Sequence, residues 1–274
     1  MVIIHKKGLI GMNTLRFNDK VFDNYVRNNF DIKSNKVKLK HKHSFLVAKI
    51  AKEIAKKTGL DEELSYNIGL LHDFGRFEQI AKYNNFRDTD EFDHGAIGCE
   101  LLFKKGHIKD FKIDERFYPL IYFAIYFHNK KEVDPKPIQD YLDSHKVAFE
   151  LADILKYCHI VRDADKIDIF RVVTEKDFII ESNLDGITPS MKKEFESFET
   201  LNIKHSKTKL DRLVTHLSFM YGLHFKESYD VFDFKKTLKK LYLKYAPILN
   251  EEDMQYYKIH TQIIYQHVIN DIIN

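Results

Sequence analysis

Cysteine is nearly absent from the 274-residue sequence, which contains only Cys99 and Cys158. Two cysteines cannot build a disulfide framework, so we expect a protein of a reducing compartment, the cytoplasm. The chain also lacks an apolar run of the ~20 residues that a transmembrane helix requires, and we therefore expect no membrane partner. The first apolar stretch, residues 2–4, is too short for the core of a signal peptide, and Met12 is an alternative start.

Glycine and proline are scarce, at 10 and 5 residues, which is typical of helical proteins with short connections. Neither sign of charge dominates, because 44 basic and 41 acidic residues leave a net charge of +3. This balance does not favour a nucleic acid as partner. The most basic segment, residues 34–43, has no interleaved aromatic residues that could stack on bases. It is either a solvated run or a rim that attracts phosphate to a site nearby.

Apolar residues make up 44% of the sequence, which suffices for a sizeable core. Through much of the chain their spacing follows the period of amphipathic helices. The predicted helices cover residues 18–30, 44–58, 62–73, 94–103, 116–129, 144–168, 206–221, 234–245 and 253–272. We predict a single all-α domain over residues 1–274, with a core at 36–175 and a C-terminal helical extension at 190–274 packed on it. The loop at 182–190 is the one plausible boundary.

Several residues mark where these helices begin and end. Gly59 is predicted to end the second helix in the left-handed conformation, and Asp61 to cap the third. The small residues at 95–99 predict that another backbone approaches this helix closely. Residues 77–93 are polar and aromatic without a clear period, and we predict an ordered loop there. Residues 134–137 are predicted to form a turn.

His72 and Asp73 lie side by side at the end of an apolar helix. Adjacent helix positions point about 100° apart, so both side chains reach one point only if it lies between their directions, as a bound metal does. The alternative is a buried pair that satisfies its own hydrogen bonds in the core. Divalent metals such as Mn²⁺, Fe²⁺ and Zn²⁺ accept imidazole nitrogen and carboxylate oxygen. Residues of these types at other helix ends, or in helices with an apolar face, could complete a site: His43, His94, His128 and Asp165.

The order and surroundings of these residues resemble the HD superfamily of metal-dependent phosphohydrolases over residues 36–175. The matching motifs are His43 in His-Ser-Phe-Leu-Val-Ala, the pair in Leu-Leu-His-Asp-Phe-Gly-Arg, and Asp165 in Asp-Ala-Asp-Lys-Ile-Asp. His94 in Asp-His-Gly-Ala-Ile-Gly and His128 in Tyr-Phe-His-Asn resemble the two extra histidines of the two-metal branch. Residues 75–79, 86–88 and 210–225 are further similar to an uncharacterised bacterial subfamily.

The resemblance implies an all-α bundle with a divalent metal cofactor, one or two ions of Mn, Fe, Mg, Zn or Ni per chain. The implied ligands are His43, His72, Asp73 and Asp165 for the first ion, and Asp73, His94 and His128 for the second. The implied reaction is hydrolysis of a phosphate monoester, diester or phosphoanhydride of a small nucleotide-like molecule by a metal-activated water. The sequence leaves open whether the protein forms a homo-oligomer.

Two residues depart from the common pattern of the superfamily. Arg76 stands where many members have lysine, and Asn129 where many have a second histidine. Asn129 argues against a cyclic-dinucleotide phosphodiesterase, as does the absence of the Gly-Tyr-Pro motif expected of that activity. Because the ligands are shared, two other functions stay open, an HD-type diiron oxygenase and a non-catalytic module that binds a nucleotide.

Arg76 is the candidate for contact with the substrate. It follows Gly75, which we expect to let the backbone leave the helix and aim the Arg76 guanidinium at a phosphoryl group, where it can form two parallel hydrogen bonds. Arg76 and Asp73 are therefore the candidate catalytic residues, and the alternative for Arg76 is a surface arginine. Arg87 and Lys131 are weaker candidates for substrate binding.

Overall fold

The structure is a computed structural model that describes residues 16–175 and 186–273. Its α-helices are α1 (Phe17–Asn29), α2 (Asn35–Thr58), α3 (Glu62–Leu71), α4 (Phe74–Tyr83), α5 (His94–Cys99), α6 (Tyr118–Phe127), α7 (Pro135–Ser144), α8 (Leu151–Thr174), α9 (Pro189–Phe195), α10 (Lys209–Ser218), α11 (Lys226–Val231), α12 (Phe234–Tyr245) and α13 (Glu251–His267). These residues contain no strand, and the isolated bridge between Thr89 and Phe92 is their one β-type pairing. The predicted all-α fold is confirmed.

Helix α2 begins earlier than the sequence predicted, because the basic segment forms its first turns. Lysine favours helices, and buried Val37 anchors this end of α2 to the core. Two predicted boundary signals are confirmed. Gly59 ends α2 with a φ of 73°, and the Asp61 carboxylate caps α3 by accepting a hydrogen bond from the Leu64 N–H.

The loop predicted at 77–93 is wrong in its first half, where α4 runs from Phe74 to Tyr83. The backbone does not leave the helix at Gly75, because Gly75 lies in the first turn of α4. Phe74, Phe77 and Ile80 are buried at a spacing of three residues, an apolar stripe that the many polar neighbours conceal. Asp73 is left at the junction between α3 and α4.

The predicted turn at 134–137 is also wrong, because Asp134 caps helix α7. Proline is well suited to the first turn of a helix, so Asp134-Pro135 begins a helix and not a turn. Ser144 ends α7, and Glu150 with Asp153 forms a capping box that starts α8. Helix α8 then continues without a break to Thr174, and so contains Asp163, Asp165 and Asp168.

The C-terminal predictions agree in part with the structure. The helices expected at 206–221, 234–245 and 253–272 correspond to α10, α12 and α13. Helices α9 and α11 were not predicted, because at six or seven residues they are too short to show a period. Residues 182–185 of the expected boundary at 182–190 lie outside the described residues, as does Met12.

Helices α2, α3, α6 and α8 form the centre of the packing, with α2 against α3 and α8, and α6 against α8. Gly69 explains how closely α2 and α3 approach. A Cβ atom at Gly69 would lie 2.8 Å from the Cα of Ala48, so a larger residue would separate the two helices. This contact holds His43 and His72, one on each helix, near each other.

Helix α8 also contacts the C-terminal helices through Asp163, which is buried. Its carboxylate accepts hydrogen bonds from the backbone N–H groups of His224 and Phe225, at 2.9–3.0 Å, and from the Ser228 hydroxyl at 2.7 Å. These bonds fix the start of α11 against α8. That the extension and the core form one domain stays a prediction.

We expect Asp163→Ala to lower the free energy of unfolding by about 3 kcal/mol, because the buried Ser228 hydroxyl and two part-buried backbone N–H groups lose their acceptor. Urea denaturation measures this change. The matched control Asp90→Ala removes an exposed carboxylate and should stay within about 0.5 kcal/mol of the parent. An unchanged urea midpoint for Asp163→Ala would show that the link from α8 to α11 adds little to stability.

Candidate metal centre

Asp73 is the side chain around which the site is built, and it is almost completely buried. Its Oδ2 atom lies 3.5 Å from His43 Nε2 and 3.4 Å from His72 Nε2. Its Oδ1 atom lies 3.3 Å from His94 Nε2 and 3.6 Å from His128 Nε2. One carboxylate therefore faces two groups of histidines. We name the group around His43 and His72 the first cluster, and the group around His94 and His128 the second cluster; Asp73 belongs to both.

The first cluster joins three helices. His43 comes from α2, the pair His72 and Asp73 from the end of α3, and Asp165 from α8. His43 Nε2 lies 2.9 Å from Asp165 Oδ1, and His72 Nε2 lies 3.8 Å from the same oxygen. Two imidazoles and two carboxylates thus converge, and these are ligand types that Mn²⁺, Fe²⁺ and Zn²⁺ accept.

The second cluster consists of Asp73, His94 at the start of α5, and His128 directly after α6. The Nε2 atoms of the two histidines are 2.8 Å apart. Gly75 makes this arrangement sterically possible. A Cβ atom there would lie 2.3 Å from the His94 carbonyl oxygen and 2.5 Å from the Gly98 nitrogen. The close backbone approach predicted for this small-residue helix is confirmed.

In each of these histidines, the second ring nitrogen has a fixed partner. The Nδ1 contacts are His43 to Asp168 at 2.6 Å, His72 to the Gly69 carbonyl at 2.7 Å, His94 to Asp88 at 2.8 Å, and His128 to the Ile125 carbonyl at 2.6 Å. Carbonyls and carboxylates only accept, so each Nδ1 carries a proton, and in the neutral ring each Nε2 presents a lone pair. In the described part of the chain, the buried His72 Nε2 has no hydrogen-bond partner, and His43 Nε2, although 2.9 Å from Asp165 Oδ1, is not aligned for a hydrogen bond. These atoms fit a bound divalent metal.

Comparison with known proteins identifies this part of the chain. The family model for the HD domain matches residues 41–169, a segment that contains all six side chains. This segment is an HD domain. A deoxyguanosinetriphosphate triphosphohydrolase-like protein of Parvibaculum lavamentivorans is 37% identical over 70 residues, which are 24% of this chain and 18% of that protein. No solved structure matches the chain, and no described helix is long and apolar enough to cross a membrane.

The charges of the HD domain favour cation binding. Burial alone would raise the pKa of Asp73, but Lys40 and His72 hold it well below its usual range. Burial lowers the pKa of His94 and of His128, so both rings stay neutral at neutral pH. Burial alone would also lower the pKa of His43, but the carboxylates of Asp165 and Asp168 have the larger effect, so the pKa of His43 is raised. Competition between protons and a metal therefore begins at His43 as the pH falls.

Arg76 lies inside the HD domain site, so the alternative of a surface arginine is wrong. Its Nη2 atom is 2.8 Å from His94 Nε2, and its Nε atom is 3.5 Å from Asp73 Oδ1. Its Nη1 atom donates to the Phe86 carbonyl at 2.9 Å and lies 3.3 Å from Asp88 Oδ1. The guanidinium points at the second cluster because Arg76 lies in the first turn of α4. The backbone does not leave the helix at Gly75, contrary to the prediction from the sequence. Its action on a substrate stays a prediction.

The other substrate-binding candidates are placed differently. Arg87 and Lys131 are exposed, and neither side chain forms a hydrogen bond or ion pair with either cluster within the described residues. Asn129 stands where many relatives have a second histidine. It donates to Asp93 at 2.9 Å and to Asp88 at 3.2 Å, and so helps to hold the carboxylate that orients His94.

Lys40 is a residue of the site that the sequence interpretation missed. Its Nζ atom lies 2.6 Å from Asp73 Oδ2 and 5.8 Å from the centre of the Phe86 ring. Lys40 precedes His43 by three residues on α2, so the two side chains project from the same face. That spacing was the available signal, but within a basic segment Lys40 looked like one of several solvated lysines.

Proposed function

We propose that this protein is a metal-dependent phosphohydrolase that cleaves a phosphate ester or phosphoanhydride bond of a small nucleotide. The observation that carries the proposal is the orientation of the four histidines, whose Nε2 lone pairs all face one buried carboxylate. Membership of the HD superfamily supports a hydrolase in general. The name of the triphosphohydrolase-like relative supports nucleoside triphosphates as the first substrates to test.

The residues of the first cluster, His43, His72, Asp73 and Asp165, would hold one ion. Asp73, His94 and His128 would hold a second. A bound divalent ion supplies Lewis-acid chemistry, because it polarises phosphoryl oxygens and lowers the pKa of water. The low pKa of Asp73 keeps this shared ligand ionised at neutral pH.

Side-chain exposure indicates how a substrate would approach. Asp73 is 2% exposed, whereas Lys40, Asp165 and Asp88 are 16%, 20% and 24% exposed. Solvent therefore reaches the centre on the side of these three residues. A phosphate entering there would come within reach of two cations that contact Asp73, the Lys40 ammonium and the Arg76 guanidinium. Both side chains bind and orient an anion without transferring a proton.

The test combines elemental analysis of the purified protein with a panel of substrates. The panel holds nucleoside mono- and triphosphates, dinucleoside polyphosphates, guanosine tetraphosphate and a chromogenic phosphodiester. We expect a bound divalent transition metal and release of phosphate, pyrophosphate or triphosphate from at least one nucleotide. Iron together with oxygen uptake and no hydrolysis would favour the diiron oxygenase. Tight nucleotide binding without turnover by the metal-loaded protein would favour the binding module.

We expect Asp168→Asn to weaken binding of the first metal ion about 10–100-fold, the usual effect of removing a partner that orients a ligand. Asp168 does not reach the cluster, but it fixes the proton on His43 Nδ1 and so directs Nε2 inward. Titration with Mn²⁺ in competition with a chelator measures the affinity. The control Asp143→Asn changes an exposed carboxylate and should leave that affinity unchanged. Equal affinities in both variants would contradict this role of Asp168.

A further inference from the structure

The Arg76 guanidinium contacts the Nε2 atom of His94, and this atom cannot bind the guanidinium and a metal ion at the same time. Asp88 holds the Nδ1 proton, so in the neutral ring Nε2 has one lone pair and no proton. His128 Nε2, also 2.8 Å away, has no proton to donate, because His128 Nδ1 donates to the Ile125 carbonyl. Arginine has donors and no acceptor, and therefore the 2.8 Å contact means that Arg76 Nη2 donates to this lone pair. A metal ion in the second cluster would need the same lone pair.

We propose that Arg76 competes with the second metal ion for His94, so that the chain holds one ion tightly and a second ion weakly. The inference rests on the proposed function, because it concerns the same centre. Binding of the second ion requires that the bond between Arg76 and His94 breaks. The guanidinium charge remains nearby afterwards and repels the incoming cation.

The surroundings of Arg76 resist its displacement. Its guanidinium donates to the Phe86 carbonyl and to the Gln79 side chain, and it pairs with Asp88. Gln79 is itself fixed, because its Nε2 atom donates to the Arg87 carbonyl at 2.9 Å and to Asp88 at 3.0 Å. The guanidinium is only about one-tenth exposed, so moving it would break several buried charge-assisted hydrogen bonds.

The first cluster has no comparable obstacle. Within the described residues, no donor is bonded to the Nε2 atoms of His43 and His72. Lys40 contacts this cluster at Asp73 Oδ2, at 2.6 Å, but a carboxylate oxygen has a further lone pair that this contact leaves open. Each ligand atom of the first ion therefore keeps a lone pair for a metal, whereas the single lone pair of His94 Nε2 is occupied. This asymmetry would make the second site fill only at high metal concentration.

Calorimetric titration of the full chain with Mn²⁺, together with electron paramagnetic resonance, tests the proposal without using activity. For the parent we expect one tight and one weak ion. Arg76→Ala should tighten the second ion about 10–100-fold, the strength of one hydrogen bond to a charged group, and should add the spin-coupled signal of neighbouring Mn²⁺ ions. Affinity for the first ion should change much less. His94→Ala, combined with Arg76→Ala, should remove the second ion again.

Lys40→Met is the matched control, because it removes a positive charge that contacts Asp73 but not His94. A gain in second-ion affinity as large as that of Arg76→Ala would overturn the proposal and indicate a general effect of charge. Two equally tight ions in both the parent and Arg76→Ala would overturn it while leaving the proposed function intact. No Mn²⁺ binding in any folded variant would instead overturn the proposed metal centre. If Arg76→Ala does not fold, Arg76→Lys replaces it, with a smaller gain expected in the same direction.

Discussion

Replacing Asp73 by alanine is expected to remove metal from both clusters and to lower the rate of hydrolysis more than ~10³-fold, since a Lewis acid supplies several kcal/mol of transition-state stabilisation. Asp73 has the largest effect of the six because its two oxygens face different clusters. Each histidine serves one cluster only. Loss of Asp73 also leaves Lys40 and Arg76 without the carboxylate that they share, which weakens cation binding further.

Elemental analysis and activity on the same purified samples measure this outcome. Asp73→Asn is a second variant that keeps the shape of the side chain but removes its charge, and we expect it to lose metal as well. Asp90→Ala removes an exposed carboxylate from the neighbouring loop and should retain both metal and activity. Full metal occupancy in folded Asp73→Ala would refute the shared-ligand arrangement.

Arg76→Ala is expected to keep its fold and the first metal ion but to lose ~10²–10³ in rate, the size of effect seen when one preorganised charge stabiliser is removed. The Nε–H of Arg76 is buried and has no hydrogen-bond partner within the described residues. It lies 3.5 Å from Asp73 Oδ1, so it can still donate to a phosphoryl oxygen held beside that carboxylate. Arg76→Lys should recover only part of the rate, because an ammonium cannot form the paired bonds of a guanidinium.

These variants should be assayed at a metal concentration that fills the first cluster alone, which separates the role of Arg76 toward substrate from its competition with a second ion. Arg116→Ala is the control, since it removes an exposed arginine that contacts Asp114 and Phe117 and, within the described residues, neither cluster. If Arg76→Ala is as active as the parent, Arg76 has a structural role, and Arg87 and Lys131 become the next candidates for substrate contact.

The helical fold and the identity of the HD domain were predictable because their signals are local. Gly59 and Asp61 act within one turn of the backbone, and the His72–Asp73 pair is recognised from its immediate neighbours. Helix α4 and the start of α7 were missed for a physical reason. Phe74, Phe77 and Ile80 are separated by polar residues, and Asp134-Pro135 suits a turn as well as a helix until its neighbours pack against it.

The sequence by itself indicated which six side chains could form the centre, because their order and surroundings resemble the HD superfamily; that they hold metal stays a prediction. Only the tertiary structure decided which atom of each side chain faces inward. The tautomer of His43, for example, depends on Asp168, which lies 125 residues further along the chain. The positions of Lys40 and Arg76 beside Asp73 were decided in the same way, because contacts between distant segments depend on how helices pack and not on any local pattern.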